Sequence, residues 1–201
     1  MRPVEEIQSV NDRLIFWQGY DSAVKVDLSS HALLTPDGWL IIDPIPLCTE
    51  ALDELLSGKT ITAILVTSAN HERAAAAFKM RCAVPIVAHR DAAAALTITP
   101  DLLLEGDADF HGITIIPLAG FAPGEIALHT SAHGGMMLMG DALTNLQPDG
   151  LAMLPAKYCA NHAMARKSLQ KLLQFSFELM TFAHGLPITT GAKRQFENLL
   201  K

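Results

Sequence analysis

Three short polar stretches carry side chains capable of chemistry, and each follows an apolar run. They are residues 67–73 (Thr-Ser-Ala-Asn-His-Glu-Arg), the pair Gly140-Asp141, and Ala183-His184-Gly185. Sites in α/β proteins usually lie at the carboxyl ends of strands, so these stretches are candidates for one common site. They lie far apart in the sequence, and only a tertiary fold can bring them together.

The composition is unusually apolar for a soluble domain. Of 201 residues, 50% are hydrophobic and 18% are charged, and the mean hydropathy is +0.25. No uncharged run approaches the roughly 18–20 apolar residues of a membrane-spanning helix, and the polar, acidic start of the chain does not resemble a signal peptide. The surplus of apolar residues is expected in a large core and at a subunit interface. We therefore predict a cytoplasmic homodimer.

The net charge and the positions of the cysteines argue against nucleic-acid binding and against a disulfide or CxxC site. Lys and Arg number 15 and Asp and Glu number 21, for a net charge of −6, which argues against a nucleic-acid-binding surface. Cys48, Cys82 and Cys159 are too scattered to form a disulfide framework or a CxxC site. With nucleic acid and membrane disfavoured as partners, a small-molecule ligand remains.

The order of predicted elements indicates a single domain, residues 1–201, with two sheets covered by helices. Thr35-Pro36-Asp37-Gly38 is typical of a hairpin turn, because Pro presets φ and Gly permits a positive φ. Asn161 is a plausible helix N-cap, and residues 144–160 are predicted to be a loop. The remaining strands are predicted at 14–20, 24–28, 31–34, 39–42, 61–66, 85–88, 113–118, 125–130, 136–139 and 177–182, and the helices at 50–56, 71–80, 90–96, from 161 and 192–200.

Taken in order, several motifs resemble the metallo-β-lactamase superfamily nearly from end to end. The resemblance implies a four-layer αββα sandwich. The motifs are Pro36-Asp37-Gly38 with Ile41-Ile42-Asp43, the strand ending at Thr67, residues 83–90, Gly120-Phe121-Ala122-Pro123-Gly124, Leu138-Met139-Gly140-Asp141, residues 168–173, and His184-Gly185-Leu186-Pro187-Ile188.

The same resemblance implies a site for two metal ions, often zinc, that activate a water molecule. The family motif Thr-His-x-His-x-Asp-His matches this chain only at Thr67. The three imidazoles of the first ion are replaced by Ser68, Asn70 and Phe121, which are poor zinc ligands or none at all. Asp141 and His184 match the bridging carboxylate and the last histidine of the family.

Glu72, Asp141 and His184 then remain as candidate ligands for one divalent ion such as Zn, Fe or Mn. Arg73 occupies the place of a fourth ligand and cannot coordinate a metal. We predict instead that Arg73 forms a bidentate pair with Asp141, joined by Glu72, in place of a metal centre. His71 falls at a variable motif position and is expected to cap or pack near the helix start, a shifted ligand role being less favoured.

Two functions follow, and whether the chain is an enzyme stays open. The first is a hydrolase-like protein without the dinuclear site or turnover, needing no cofactor and serving a ligand-binding or regulatory role. The alternative is a mononuclear metal-dependent hydrolase of a small ester or thioester.

Phe121 and Tyr158 are expected to line the substrate pocket. A Ser68–His184–Asp141 triad is disfavoured because no Gly-x-Ser-x-Gly elbow is present, and a reactive Cys159 because no activating motif is nearby.

Overall fold

Two β-sheets stack face to face, and α-helices cover both outer sides, in a computed structural model that describes all 201 residues. The strands of the first sheet are β1 (Gln8–Asn11), β2 (Leu14–Asp21), β3 (Val26–Thr35), β4 (Gly38–Ile42), β5 (Ile61–Val66), β6 (Ile86–His89) and β7 (Leu102–Leu104). They lie in chain order, antiparallel from β1 to β4 and parallel from β4 to β7.

The second sheet has five strands, and a separate hairpin stands beside it. Its strands are β8 (Ala108–Phe110), β9 (Ile113–Pro117), β10 (Ile126–Thr130), β11 (Met136–Met139) and β14 (Leu179–Phe182), and the hairpin is β12 (Leu143–Leu146) with β13 (Gly150–Met153). The spatial order is β14-β11-β10-β9-β8, and only the β11–β14 pair is parallel. The α-helices are α1 (Thr49–Leu56), α2 (Ala75–Cys82), α3 (His162–Leu169) and α4 (Ala192–Leu200).

Alternation along the strands divides the apolar residues among three cores. In the first sheet, Leu40 and Ile42 face the second sheet, whereas Ile41 packs outward with Leu55 of α1 and Phe78 of α2. The second sheet follows the same rule, with its outward residues packing against α3 and α4. Both faces of both sheets are therefore buried, which accounts for the high apolar content. None of the helices has the length and apolar content that crossing a bilayer would require.

Most predicted elements are present, and the differences have local causes. The strand at Ile61–Val66, the helix at Ala192–Leu200 and the N-cap role of Asn161, whose side chain accepts from Met164 N at 3.0 Å, are confirmed. The strands predicted at 24–28 and 31–34 are one continuous strand, β3. The missed strands β1, β7 and β8 have only three or four residues, too few to show a period.

Three predicted boundaries were wrong. Helix α2 begins at Ala75 rather than residue 71, because Arg73 has a φ of 37°, outside the right-handed helical region. The predicted helix at 90–96 is only a short 3₁₀ turn, Arg90–Ala92. The predicted loop at 144–160 contains the β12–β13 hairpin, whose turn is formed around Pro148-Asp149-Gly150.

Gly120 allows α3 to pack closely against the loop after β9. A Cβ on Gly120, where φ is 92°, would lie 2.3 Å from Ala165 N and 2.5 Å from Asn161 O. We expect Gly120→Ala to lower the free energy of unfolding by about 3 kcal/mol, from backbone strain and overpacking together. Gly58→Ala is the matched control, since φ is 65° there and nothing lies within 4 Å of the added Cβ; it should cost about 1 kcal/mol. Urea unfolding of both variants measures this, and equal losses would contradict the packing argument.

Candidate metal centre

The three polar stretches meet where parallel strands of both sheets end. Thr67 directly follows β5, whose parallel neighbour β4 is followed by Asp43. In the second sheet, Asp141 lies two residues beyond β11 and His184 two residues beyond its parallel neighbour β14. Parallel neighbours end at the same edge of a sheet, so each sheet contributes two polar ends to one site.

The Asp141 carboxylate is the centre of this site. Its Oδ1 lies 3.1 Å from Nε2 of His71 and 3.0 Å from Nε2 of His184, and its Oδ2 accepts a hydrogen bond from the Asn70 amide at 3.0 Å. Asp141 is 7% exposed. Two imidazole nitrogens therefore point at a single buried carboxylate oxygen.

Oxygen acceptors hold the other nitrogen of each ring. Nδ1 of His71 lies 3.0 Å from Oδ2 of Asp43, and Nδ1 of His184 lies 3.0 Å from the backbone oxygen of Asp27. Asp43 is itself fixed, because it accepts hydrogen bonds from the backbone N–H of Thr67 at 2.8 Å and from its hydroxyl at 2.5 Å. Carboxylate and carbonyl oxygens only accept, so each ring can donate from Nδ1, and a neutral ring that does so presents an unprotonated Nε2 to Asp141.

The groups of this cluster shift one another's protonation. Although burial opposes charge on His71, Asp141 and Asp43 raise the pKa of His71 to about 10. Burial likewise opposes ionisation of Asp141, yet His71 and His184 hold its pKa far below the ordinary value. The pKa of Asp43 is also lowered, against the effect of burial, chiefly by His71. Both carboxylates are therefore ionised at neutral pH.

One divalent cation suits the donor set, whereas two do not. The ligand atoms of His71, Asp141 and His184 all lie within 4.8 Å of one another, and two imidazoles with one carboxylate suit Zn, Fe or Mn. The bonds from Nδ1 to Asp43 and to Asp27 are the outer contacts that orient metal-binding histidines. At the positions expected for a first ion, by contrast, the Asn70 amide donates to Asp141 and supplies no imidazole.

Glu72 lies outside this cluster, so the predicted ligand set needs correction. Its carboxylate accepts hydrogen bonds from Thr97, at 2.7 Å from the backbone N and 2.5 Å from the hydroxyl. His71 takes its place beside Asp141. The motif alignment assigned the role to Glu72 by position, but the tight turn before α2 directs His71 inward and Glu72 outward. The available signal was a histidine in the polar loop that follows a buried strand.

The predicted bidentate Arg73–Asp141 pair is also wrong, since no guanidinium nitrogen lies within 4.0 Å of that carboxylate. Arg73 instead donates to three backbone carbonyls, those of Ser29 at 2.7 Å, Asp43 at 3.1 Å and Ala183 at 3.3 Å. The guanidinium thus joins β3, the end of β4 and the end of β14, which belong to different sheets. His71, rather than Arg73, is the base in contact with both carboxylates.

The remaining predicted site residues divide between core and cavity. Ser68 is fully buried, and its hydroxyl accepts from Asn70 N at 3.3 Å and forms no hydrogen bond with a histidine side chain. Phe121 is 2% exposed and packs in the core between the second sheet and α3, so the prediction that it lines the pocket is wrong. Tyr158 does line a cavity over the cluster. The Cys159 thiol forms hydrogen bonds only with backbone oxygens, those of Leu154 and Pro155, and packs against the core below α3.

That cavity has a volume of about 920 Å³, within the range of small-molecule sites. Asn70, His71, Arg73, Asp141 and His184 form its floor. Its walls come from two hairpins, the β2–β3 turn and the β12–β13 hairpin with the segment that follows. The sequence placed this segment on the substrate side but did not reveal the hairpin.

Glu125 is a buried acid behind the site, and no sequence motif had pointed to it. Its Oε1 accepts from Ala142 N at 3.0 Å, whereas its Oε2 is buried without a partner. Burial, and next the negative charge of Asp141, raise the pKa of Glu125 to about 8. Gly140 leaves room for this carboxyl group, whereas any residue with a Cβ at position 140 would place that atom 2.5 Å from Oε1.

We expect Arg73→Met to lower the free energy of unfolding by about 3 kcal/mol, because three carbonyls lose a charged donor and two nearby carboxylates lose a compensating charge. Arg90→Met is the matched control, since Arg90 forms only an exposed ion pair with Glu105 and should cost less than about 1 kcal/mol. Chemical denaturation measures both. A loss for Arg73→Met no larger than that of the control would contradict the role of the guanidinium as a clamp.

Glu125 should make stability depend on pH. Its folded-state pKa of about 8 exceeds the ordinary 4.5, so the folded protein retains a proton that the unfolded chain releases. Stability from this group is complete below pH 4.5 and is lost as the pH rises towards 8, by at most about 1.4 kcal/mol per pH unit. Glu125→Gln keeps the shape of the protonated acid and should flatten the decline. Urea unfolding at several pH values between 5 and 8 measures the difference; parallel curves would contradict it.

Comparisons with known proteins identify the family and the fold of the chain. The family model described as the metallo-beta-lactamase superfamily matches residues 8–199, whereas no curated protein matches the chain significantly. A metallo-beta-lactamase from Pontibacter korlensis superposes with a TM-score of 0.76 at 14% identity, covering 97% of this chain and 98% of that one. One from Hirschia baltica gives 0.73 at 14%, covering 99% and 98%.

A beta-lactamase domain protein from Burkholderia ambifaria gives a TM-score of 0.71 at 18% identity, covering 99% of this chain and 77% of that one. Likeness at such identities shows the fold alone, and it confirms the predicted αββα sandwich. The match of the family model spans nearly the whole chain and confirms the resemblance found in the sequence. This chain belongs to the metallo-beta-lactamase superfamily.

Proposed function

We propose that this chain is a metal-dependent hydrolase that uses one divalent cation, held by Nε2 of His71, Oδ1 of Asp141 and Nε2 of His184. The observation that carries the proposal is the direction of the two imidazole rings. Each ring has an oxygen acceptor at Nδ1, so in the neutral form that binds a metal the Nδ1–H donates to that oxygen and the Nε2 lone pair faces the ionised Asp141 carboxylate.

Such facing lone pairs repel unless something positive lies between them. Protons on both Nε2 atoms would serve, but the two rings are 5.9 Å apart, and two imidazolium charges at that distance repel each other. A single divalent cation accepts all three lone pairs at once. This arrangement supports the cation over a second imidazolium.

The residues around the cluster support one ion rather than two. The Asn70 amide donates to Oδ2 of Asp141, the oxygen left free by the two histidines. Ser68 is buried beneath the loop and Phe121 lies in the core. Neither the amide nor these side chains offers the imidazoles that a first zinc ion requires.

The ion, the residues that orient its ligands and the cavity would each contribute to hydrolysis. When bound, the ion would lower the pKa of a water molecule and polarise an ester or thioester carbonyl. Asp43 and the Asp27 carbonyl fix the orientation of the two rings, and Asn70 fixes the carboxylate. The cavity above them has room for a small acyl substrate and separates its apolar part from water.

A second candidate is a ligand-binding protein without turnover, and the charge balance at His71 favours it. With its pKa raised to about 10, His71 is an imidazolium between two ionised carboxylates. Together with Arg73, it would balance the charges of Asp43 and Asp141 without any metal. In that case the cavity would keep its shape and lose the means to activate water.

Metal content separates the two candidates. We expect the purified protein to bind about one Zn, Fe or Mn ion per chain, measured by elemental analysis and by calorimetric titration of the metal-stripped protein. His71→Ala, Asp141→Asn and His184→Ala should each weaken the affinity by more than about 100-fold, because each removes a direct ligand. Asp43→Asn should weaken it by about 10–100-fold, because it releases the His71 ring.

Glu72→Gln is the control, since its carboxylate bonds to Thr97 rather than to the cluster. Its metal affinity should equal that of the unmodified protein, and hydrolysis of a short-chain p-nitrophenyl ester or thioester should follow the metal content across the set. Absence of any stoichiometric ion would overturn the hydrolase proposal in favour of the second candidate. Loss of the ion in Glu72→Gln with retention in His71→Ala would restore the ligand set expected from the motif.

A further inference from the structure

The rim of the cavity over Asp141 carries two acidic side chains without cationic partners. Asp21 ends β2 on one wall, and Asp149 lies in the turn between β12 and β13 on the other. The carboxylate of Asp21 accepts one hydrogen bond, from Ala23 N at 2.8 Å, and that of Asp149 makes no hydrogen bond or ion pair within the chain. Both charges are therefore available to a molecule entering the cavity.

No cationic side chain forms an ion pair with Asp21 or Asp149; Lys25, in the same turn as Asp21, bonds to the Asp21 backbone oxygen through its own backbone N–H. No lysine lines the cavity, and its one arginine, Arg73, is on the floor and donates to three backbone carbonyls. Lys157 lies over the ring of Tyr158, 4.7 Å from its centre, but does not itself line the cavity. The net charge of the chain, −6, acts in the same direction.

Between the rim and the floor, the walls are apolar. Val24, Val26 and Leu28 face the cavity from the β2–β3 hairpin, and Leu146, Met153 and Leu154 from the other side. Val24 is 61% exposed, so its side chain is accessible to an apolar ligand at the mouth of the cavity. A molecule that fits this cavity needs an apolar body.

We propose that the cavity takes compounds with an apolar body and a positively charged group, the charge lying between Asp21 and Asp149, and that it disfavours anionic compounds of the same shape. The inference rests on the proposed function for the identity of the reacting group, an ester or thioester carbonyl placed over the His71–Asp141–His184 cluster. Its charge preference depends only on the rim and the walls.

Three probes of matched shape test the preference by titration calorimetry on the protein as purified. They are (4-phenylbutyl)trimethylammonium, 4-phenyl-1-butanol and 4-phenylbutanesulfonate, none of which contains a hydrolysable bond. The ammonium should bind about tenfold more tightly than the sulfonate, with the alcohol between them, and the preference should shrink at 0.5 M salt because the rim is solvated.

Matched variants locate the source of the preference. Asp21→Asn and Asp149→Asn should each lower the affinity for the ammonium by about threefold, and the double variant should bind the ammonium and the sulfonate about equally. Asp107→Asn is the control, because Asp107 is exposed and lies outside the cavity; it should leave the preference unchanged. Affinity for the alcohol should stay constant throughout.

Equal or tighter binding of the sulfonate, an unchanged preference in the double variant, or no binding of any probe at millimolar concentration would each overturn the inference. Those results leave the metal content untouched, so one ion per chain would still support the proposed hydrolase. Conversely, the ammonium preference without any stoichiometric ion would support the cavity assignment and count against the hydrolase.

Discussion

The approach of two imidazole nitrogens to one oxygen of Asp141 is the constraint on which the site depends. Because both nitrogens lie at 3.0–3.1 Å from Oδ1, the position of Asp141 determines how the loop after β5 and the segment after β14 must run. Asp43 and the Asp27 carbonyl hold the far side of each ring. A positive charge, from a cation or from protons, is required at the point where these groups converge.

The same constraint explains why the sheets are linked by polar contacts at this edge and by apolar packing elsewhere. The Arg73 guanidinium donates to a carbonyl within β3, that of Ser29, and to the carbonyls of Asp43 and Ala183, which directly follow β4 and β14. The carbonyl of Asp43 also accepts from the Ser30 hydroxyl and that of Ala183 from Ser29 N–H, so the guanidinium adds a charged donor to buried carbonyls of both sheets. Although the family motif has a metal ligand at this position, Arg73 thus stabilises the strand ends that position the ligands.

Much of the architecture could be predicted from residue patterns. The β-branched run Ile61–Val66 and the amphipathic Ala192–Leu200 have strong local periodicity, and the order of motifs identified the αββα sandwich. Asp141 and His184 were selected for the site because they follow apolar strands and match the bridging carboxylate and the last histidine of the family. Short edge strands and the β12–β13 hairpin were missed, since they are stabilised by pairing rather than by a local pattern.

By itself, the sequence determined the family, the layer order and the absence of the usual imidazoles at positions 68, 70 and 121, because these depend on residue identity and order. Only the tertiary structure decided which neighbours in residues 70–73 face the cluster. A turn with a positive φ at Arg73 directs His71 to Asp141, Glu72 to Thr97 and Arg73 to the strand ends. Side-chain direction within a turn depends on backbone dihedrals and on partners distant in sequence, and neither can be read from motif position.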